Sequence, residues 1–331
     1  MLAVVLSICM MGQGAPDDSG HWVEISRDIL TELAKTHVPS GDPYATATAG
    51  ISVDRTNGDV YLLANNIGIC KSVNQGRTFE LVSGDAVTGR FETGWGLNID
   101  PKGRRLMAFS IYGSSAYSPD AGKTWTRSQL SHLDYGAVDW RDSGSALLAI
   151  AHESGGKLEL SPDRGGHWTA LGTGYWGVGL WDRKTILATR EGTAGILRST
   201  DSGQSWHRVS DEQVAAPVMV SFEGACYWLG ENGLLVSRDG GLQWELRAKT
   251  PAGAALGPMF GANAKHMVVG SPDGLFESSD GGRSWRQVAP MAPEIKVLKG
   301  GRYATYGWDP VRNVFYASQM RMPAYRFRVH K

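Results

Sequence analysis

The sequence is poor in cysteine, with 3 in 331 residues. Cys9 lies in the apolar N-terminal stretch, and Cys70 and Cys226 are far apart in the chain, so no disulfide framework is read. Net charge is also missing. Thirty-three Lys+Arg balance 33 Asp+Glu, and neither sign runs in blocks. That argues against nucleic acid or an anionic membrane surface as a partner. No apolar stretch is long enough to span a membrane comfortably. Phosphate loops, Cys-x-x-Cys, Gly-x-Ser-x-Gly and dinucleotide fingerprints are absent, and no cofactor is implied. His132, Asp134 and His152 show no metal-ligand spacing, so no metal site is assigned.

What the chain does have is glycine, 43 residues of it, and 12 tryptophans. Five of the tryptophans and nine of the glycines fall in one eight-residue stretch that recurs six times. The clearest copy is SPDAGKTW (Ser118 to Trp125). SPDRGGHW begins at Ser161, STDSGQSW at Ser199, SRDGGLQW at Ser237 and SSDGGRSW at Ser278; a weaker SVNQGRTF begins at Ser72. The starts are 46, 43, 38, 38 and 41 residues apart. A period near 40 is the signature of a repeat architecture.

Each position has a physical task. The Asp accepts hydrogen bonds from backbone N–H groups of its own turn. The Gly at the fifth place takes φ > 0. The Trp is a large apolar body that packs between neighbouring units. One Asp per turn offers too few oxygens for a dedicated calcium site, so the turns are expected to be structural.

Between these turns each unit reads as four short strands with Gly-containing connections. The last unit, TYGWD, NVFYAS and AYRFRV, has three strands and no such turn. HWVEIS (His21 to Ser26) looks like the strand that follows each turn elsewhere, as in TWTRSQ and SWHRVS. Six full units, three strands and this one make an all-β, seven-bladed β-propeller of four-stranded blades. An N-terminal strand completes the last blade, and closure removes the open sheet edge. Inner strands pair Gly with an aromatic, as in Gly94-Trp95-Gly96 and Trp176-Gly177, which suits crowding at a central channel.

The pattern S-x-D-x-G-x-T-W resembles the Asp-box repeat of sialidase-like β-propellers. That resemblance covers nearly the whole chain after about residue 16. It implies the propeller fold but does not choose among activities, because such propellers include sialidases, other glycosidases, sortilin-type receptors and photosystem II assembly factors of the Ycf48 type. The Arg-Ile-Pro motif and Arg triad of true sialidases are not recognisable here, so no sialidase role is carried onto any residue.

Residues 1–15, MLAVVLSICMMGQGA, read as a signal peptide, which makes the protein secreted or periplasmic. Residues 16–331 read as one propeller domain with a short helical insertion at about 27–38, where Ile29, Leu30, Leu33 and Ala34 fall at helical spacing. The Asp-box turns share one face with the first-to-second turns. The second-to-third hairpins and the connections between blades share the other.

That hairpin face is the candidate site. His132, Asp134 and Tyr135 enter blade 3, His152 and Glu153 tip it, Arg190 and Glu191 tip blade 4, and Trp176 enters blade 4. Glu153, Glu191, Asp134 and His152 are the candidates for acid–base work. Arg190, Tyr135, Trp176 and His132 are the candidates for holding substrate. The ligand expected is a glycan or other small polar molecule, bound by a monomer. A non-catalytic scaffold with a protein partner is the alternative.

Overall fold

The computed structural model describes residues 19–37, 47–91, 93–301 and 303–329. The expected signal peptide lies outside the described residues. The strands form seven four-stranded antiparallel sheets, a seven-bladed propeller. Blade 1 is typical: Thr48–Val53, Val60–Ala64, Gly68–Ser72 and Glu80–Leu81 follow one another from inside to outside. The second strand of each blade is a continuous buried run, such as Val60–Ala64, because blades cover it on both sides. The outermost strands are polar and largely exposed, as in Glu245–Ala248.

Closure follows the sequence expectation. Trp22–Glu24 pairs antiparallel with Tyr325–Arg328, and so forms the outer strand of the sheet that also holds Val314–Gln319 and Ala304–Asp309. Trp22 packs on Phe327 with ring centroids 5.2 Å apart, and its indole N–H donates to the Pro290 carbonyl at 3.1 Å. The chain then turns into the helix Arg27–His37. Leu30 is fully buried in a cluster with Ala64, Ile67, Tyr316 and Ala324, which lie toward the hairpin tips of blades 1 and 7.

The repeated turns are self-contained. In the copy at Ser199, the serine hydroxyl donates to Asp201 at 2.7 Å and accepts from the Gly203 N–H at 2.8 Å. Asp201 then accepts from the Ser205 N–H at 2.9 Å and its hydroxyl at 2.5 Å. Hydrogen bonds from Ser205 and Ser199 hold the Asp201 carboxyl well below its usual range. Gly203 has φ +88°, and a Cβ there would lie 2.6 Å from Leu171 of the preceding blade. Glycine is therefore required twice over, for its conformation and for close packing between blades. The fourth position also has positive φ in every copy, although it is Gln75, Ala121, Arg164 and Ser202 in four of them. The hydrogen-bonded Ser–Asp pair imposes that conformation on residues that do not favour it.

The tryptophans tie neighbouring blades together. Trp125 donates to the Val82 carbonyl of blade 1, and Trp168 to the Ser128 hydroxyl of blade 2, each at 3.1 Å. One expected strand is shorter than its sequence suggests. Gly94-Trp95-Gly96 is expected within the inner strand of blade 2, but these residues form a 3-10 turn and the strand is Leu97–Ile99. Gly94 lies so close to Thr305 of blade 7 that no side chain fits there, and the chain must turn before pairing.

Candidate functional site

Two local distortions shape the hairpin-tip face. Leu133 pairs with Ala151 and Tyr135 with Ile150, which leaves Asp134 as an extra residue in the ladder. Tyr175 pairs with Arg190 and Gly177 with Thr189, which leaves Trp176 in the same place one blade on. Such β-bulges re-aim a side chain at the end of a strand. Asp134 and Trp176 are thus presented by equivalent bulges on adjacent blades.

Asp134 is directed at His152. Its Oδ1 lies 2.7 Å from His152 Nδ1. An ionised carboxylate only accepts, so Nδ1 carries the proton, and in the neutral ring Nε2 is left as an acceptor. Tyr112 supplies a hydroxyl 3.3 Å from Nε2. Its ring also meets those of His152 and His132 edge-on, at 5.2 and 5.0 Å, with the Arg90 guanidinium 4.5 Å from its centroid. The His152 side chain is 9% exposed, whereas Glu153, 3.6 Å from Nε2, is 73% exposed.

A cavity of about 290 Å³ opens here, and Asp134, Tyr135, His152, Glu153, Trp176 and Glu191 all line it. A larger one of about 810 Å³ adjoins it, sharing Trp176, Glu191 and Gly300 as a common wall. Arg190, Gln213, Glu231 and Thr193 are its polar lining, and Pro251, Ala255, Val297 and Leu298 its apolar one. The wall is stiff at its centre. Gly300 packs so closely on Trp176 that a Cβ would stand 2.9 Å from the indole.

Seven of the eight sequence-predicted residues therefore converge on the two chambers. Arg190 lines the larger, with its guanidinium stacked 4.5 Å from the Tyr175 ring and donating to the Thr173 carbonyl at 3.0 Å. Tyr135 is buried, and its hydroxyl donates to the Trp176 carbonyl at 2.7 Å, so it supports Trp176 from below. His132 lines neither chamber. It sits behind Tyr112, and its carbonyl accepts from the His152 N–H at 2.7 Å.

The sequence gives no site role to Tyr112, nor to Tyr303 and Trp95, which line the smaller chamber. Tyr112, His132, Glu153 and Tyr303 all have φ between +49° and +67°. For residues of this bulk that conformation costs on the order of 1–2 kcal/mol each. Glu153 and Tyr303 line the smaller chamber, Tyr112 and His132 stand behind His152, and no residue type in the sequence announces them.

No family model matches the chain. An oligoxyloglucan-reducing end-specific xyloglucanase from Emericella nidulans is 24% identical over 214 residues, 60% of this chain. The match spans about a quarter (24%) of that enzyme's length. Among solved structures, Ycf48 bound to a D1 peptide superposes with a TM-score of 0.54 at 15% identity, covering 86% of this chain and 92% of that one. Ycf48 from Cyanidioschyzon merolae gives 0.51 at 12% identity, covering 93% and 98%. Likeness at these identities establishes the shared propeller fold.

Proposed function

We propose that this protein is an exported glycan-binding propeller of the glycoside hydrolase-like kind, and that the hairpin-tip cleft is its binding site. The observation that carries this reading is the shared wall. An indole and a carboxylate stand between two adjoining chambers, and an arginine lines the larger. A sugar ring stacks its C–H face on an aromatic while its hydroxyls donate to carboxylates and accept from guanidinium and amide groups. Two adjoining chambers suit an oligosaccharide better than a single sugar.

Among the titratable groups, His152 is the one placed for proton transfer, because Asp134 fixes its tautomer and orientation. Glu153 and Glu191 are exposed and better suited to accept hydrogen bonds than to act as acids, which need burial. Binding is thus the primary role, and hydrolysis is the part that depends on His152.

A glycan array followed by titration with the best oligosaccharide tests this, with xyloglucan fragments included because of the xyloglucanase similarity. Trp176→Ala and Glu191→Ala are each expected to weaken binding about 10-fold or more, the loss of a stacked ring or a charged hydrogen bond. A panel of glycosides assayed with His152→Ala reads out any hydrolysis. If no glycan binds and an extended peptide does, sensitive to Leu298→Asp, the scaffold reading replaces this one.

A further inference from the structure

The opposite face holds a second pocket. It lies between blades 5 and 6, where the turn at Glu223 and Gly224 meets Asn263, Ala264 and Lys265, and has a volume of about 440 Å³. Its lining is cationic, with Arg238, Arg247 and Lys265 facing one carboxylate, Glu223. Glu223 is already engaged, since its Oε2 accepts from the Ala264 N–H at 3.0 Å.

Two groups that line this pocket make no hydrogen bond within the described residues that a ligand would have to break. The Arg247 side chain is 17% exposed, yet its one ion pair among the described residues is to Glu245, at 3.7 Å, too long for a hydrogen bond. Tyr227 is 6% exposed, and its hydroxyl has no hydrogen-bond partner among the described residues. The fully buried unsatisfied side-chain atoms among the described residues include neither of them, so both the guanidinium and the phenol are open to the cavity and able to bond an anion that enters it.

We propose that this pocket is a site for a tetrahedral oxyanion, a sulfate or phosphate ester, held by Arg247 and the Tyr227 hydroxyl with Arg238 and Lys265 at its rim. Arginine's planar fork suits two oxygens of such a group, and the phenol donates to a third. Burial raises the Tyr227 phenol above its ordinary range, with Arg238 and Arg247 pulling the other way, so it is a donor at neutral pH. Glu245 is 57% exposed and approaches both Arg238 and Arg247, at 3.4 and 3.7 Å. It acts as a loose internal counterion that the ligand displaces. The site is separate from the hairpin-tip cleft and does not depend on the glycan reading.

The test is equilibrium dialysis of the whole protein with radiolabelled inorganic sulfate and phosphate at fixed chloride. Glucose 6-sulfate and glucose 6-phosphate serve as competitors that distinguish the two esters. Arg247→Gln is expected to weaken anion binding about 10-fold or more, as for loss of a charge-assisted pair. Lys265→Ala, an exposed change that spares the fold, weakens it less and flattens its salt dependence. Glu245→Gln is expected to tighten binding, a result that no purely structural role for these arginines gives. The proposal is overturned if neither anion binds, or if binding is the same in Arg247→Gln and Glu245→Gln as in the parent.

Discussion

Closure of the ring by Trp22–Glu24 yields the sharpest stability prediction. A chain beginning at Arg27 loses the strand that pairs with Tyr325–Arg328, whereas one beginning at Ser19 keeps it. The strand contributes its ladder, the Gly20 N–H bond to the Arg328 carbonyl at 2.8 Å and the Ile25 N–H bond to the Ala324 carbonyl at 2.9 Å. Ser26, fully buried, accepts from the Ala324 N–H at 2.8 Å. Trp22 adds its packing on Phe327 and Tyr306. Truncating a fully buried Trp costs about 3–5 kcal/mol, and Trp22 is half-buried, so Trp22→Ala is expected to cost about 2–3 kcal/mol. For a chain of this length the unfolding entropy is roughly 0.7 kcal/mol per K, which converts that loss to a Tm drop of about 3–4 °C. Removing the whole strand lowers Tm much further and leaves an exposed sheet edge that promotes association. Calorimetry and light scattering on the two truncated chains and Trp22→Ala measure both effects. Equal Tm for the chains starting at Ser19 and Arg27 would refute velcro-like closure through this strand.

Four further substitutions test the packing and the charges. Trp206→Ala, which removes a ring 5.6 Å from Tyr175 and packed between blades 3 and 4, is expected to cost about 2–4 kcal/mol by thermal unfolding. Asp201→Ala also lowers Tm, and neither change alters affinity for an anion at the blade 5–6 pocket. Glu277 is 11% exposed; burial opposes its charge, but hydrogen bonds from His266 and Arg286, at 2.7 and 2.6 Å, hold its carboxyl below the usual 4.5. A group depressed in the folded state contributes stability that is present above about pH 4.5 and lost as pH falls through the lower folded value. Glu277→Gln should therefore destabilise at pH 7 by about 1–2 kcal/mol and flatten the acid limb of a stability–pH curve. Arg55→Ala, which removes donors to the carbonyls of Phe260, Gly261 and Pro101, unties blade 1 from blades 6 and 2 and is expected to lower Tm while leaving hairpin-tip binding intact.

Much of this fold is legible because its local signals repeat. The Ser, Asp, Gly and Trp of each turn interact within the turn or with the preceding blade, so a single sequence window contains most of the determinants. The closure is legible for a related reason. HWVEIS has the pattern of an outer strand with no blade of its own, and the last unit lacks one. What the pattern does not carry is set by contacts across the ring. The 3-10 turn at Gly94–Gly96 depends on Thr305, more than 200 residues away, and nothing near Trp95 in the sequence signals it.

The site is legible only in part, and the reason lies in how side chains are aimed. Counting strands puts His152, Glu153, Arg190 and Glu191 at hairpin tips, and they are there. Strict alternation along Leu133–Val138 does not show that Asp134 is an extra residue in its ladder and faces His152. Nor does it show that Trp176 takes the equivalent place one blade on. Tyr112 and His132 become partners only through their left-handed backbone, which residue type disfavours. The blade 5–6 pocket was invisible for a different reason. Arg238 belongs to a repeated turn and Arg247 to an outer strand, positions that elsewhere in the chain are solvated. It is the packing of Gly281 and Lys265 from the next blade that encloses Arg247 without giving it a hydrogen-bond partner. Both sites thus arise where one blade meets another. A repeat fixes the interior of each blade, and the chemistry lies at the seams, where the copies are free to differ.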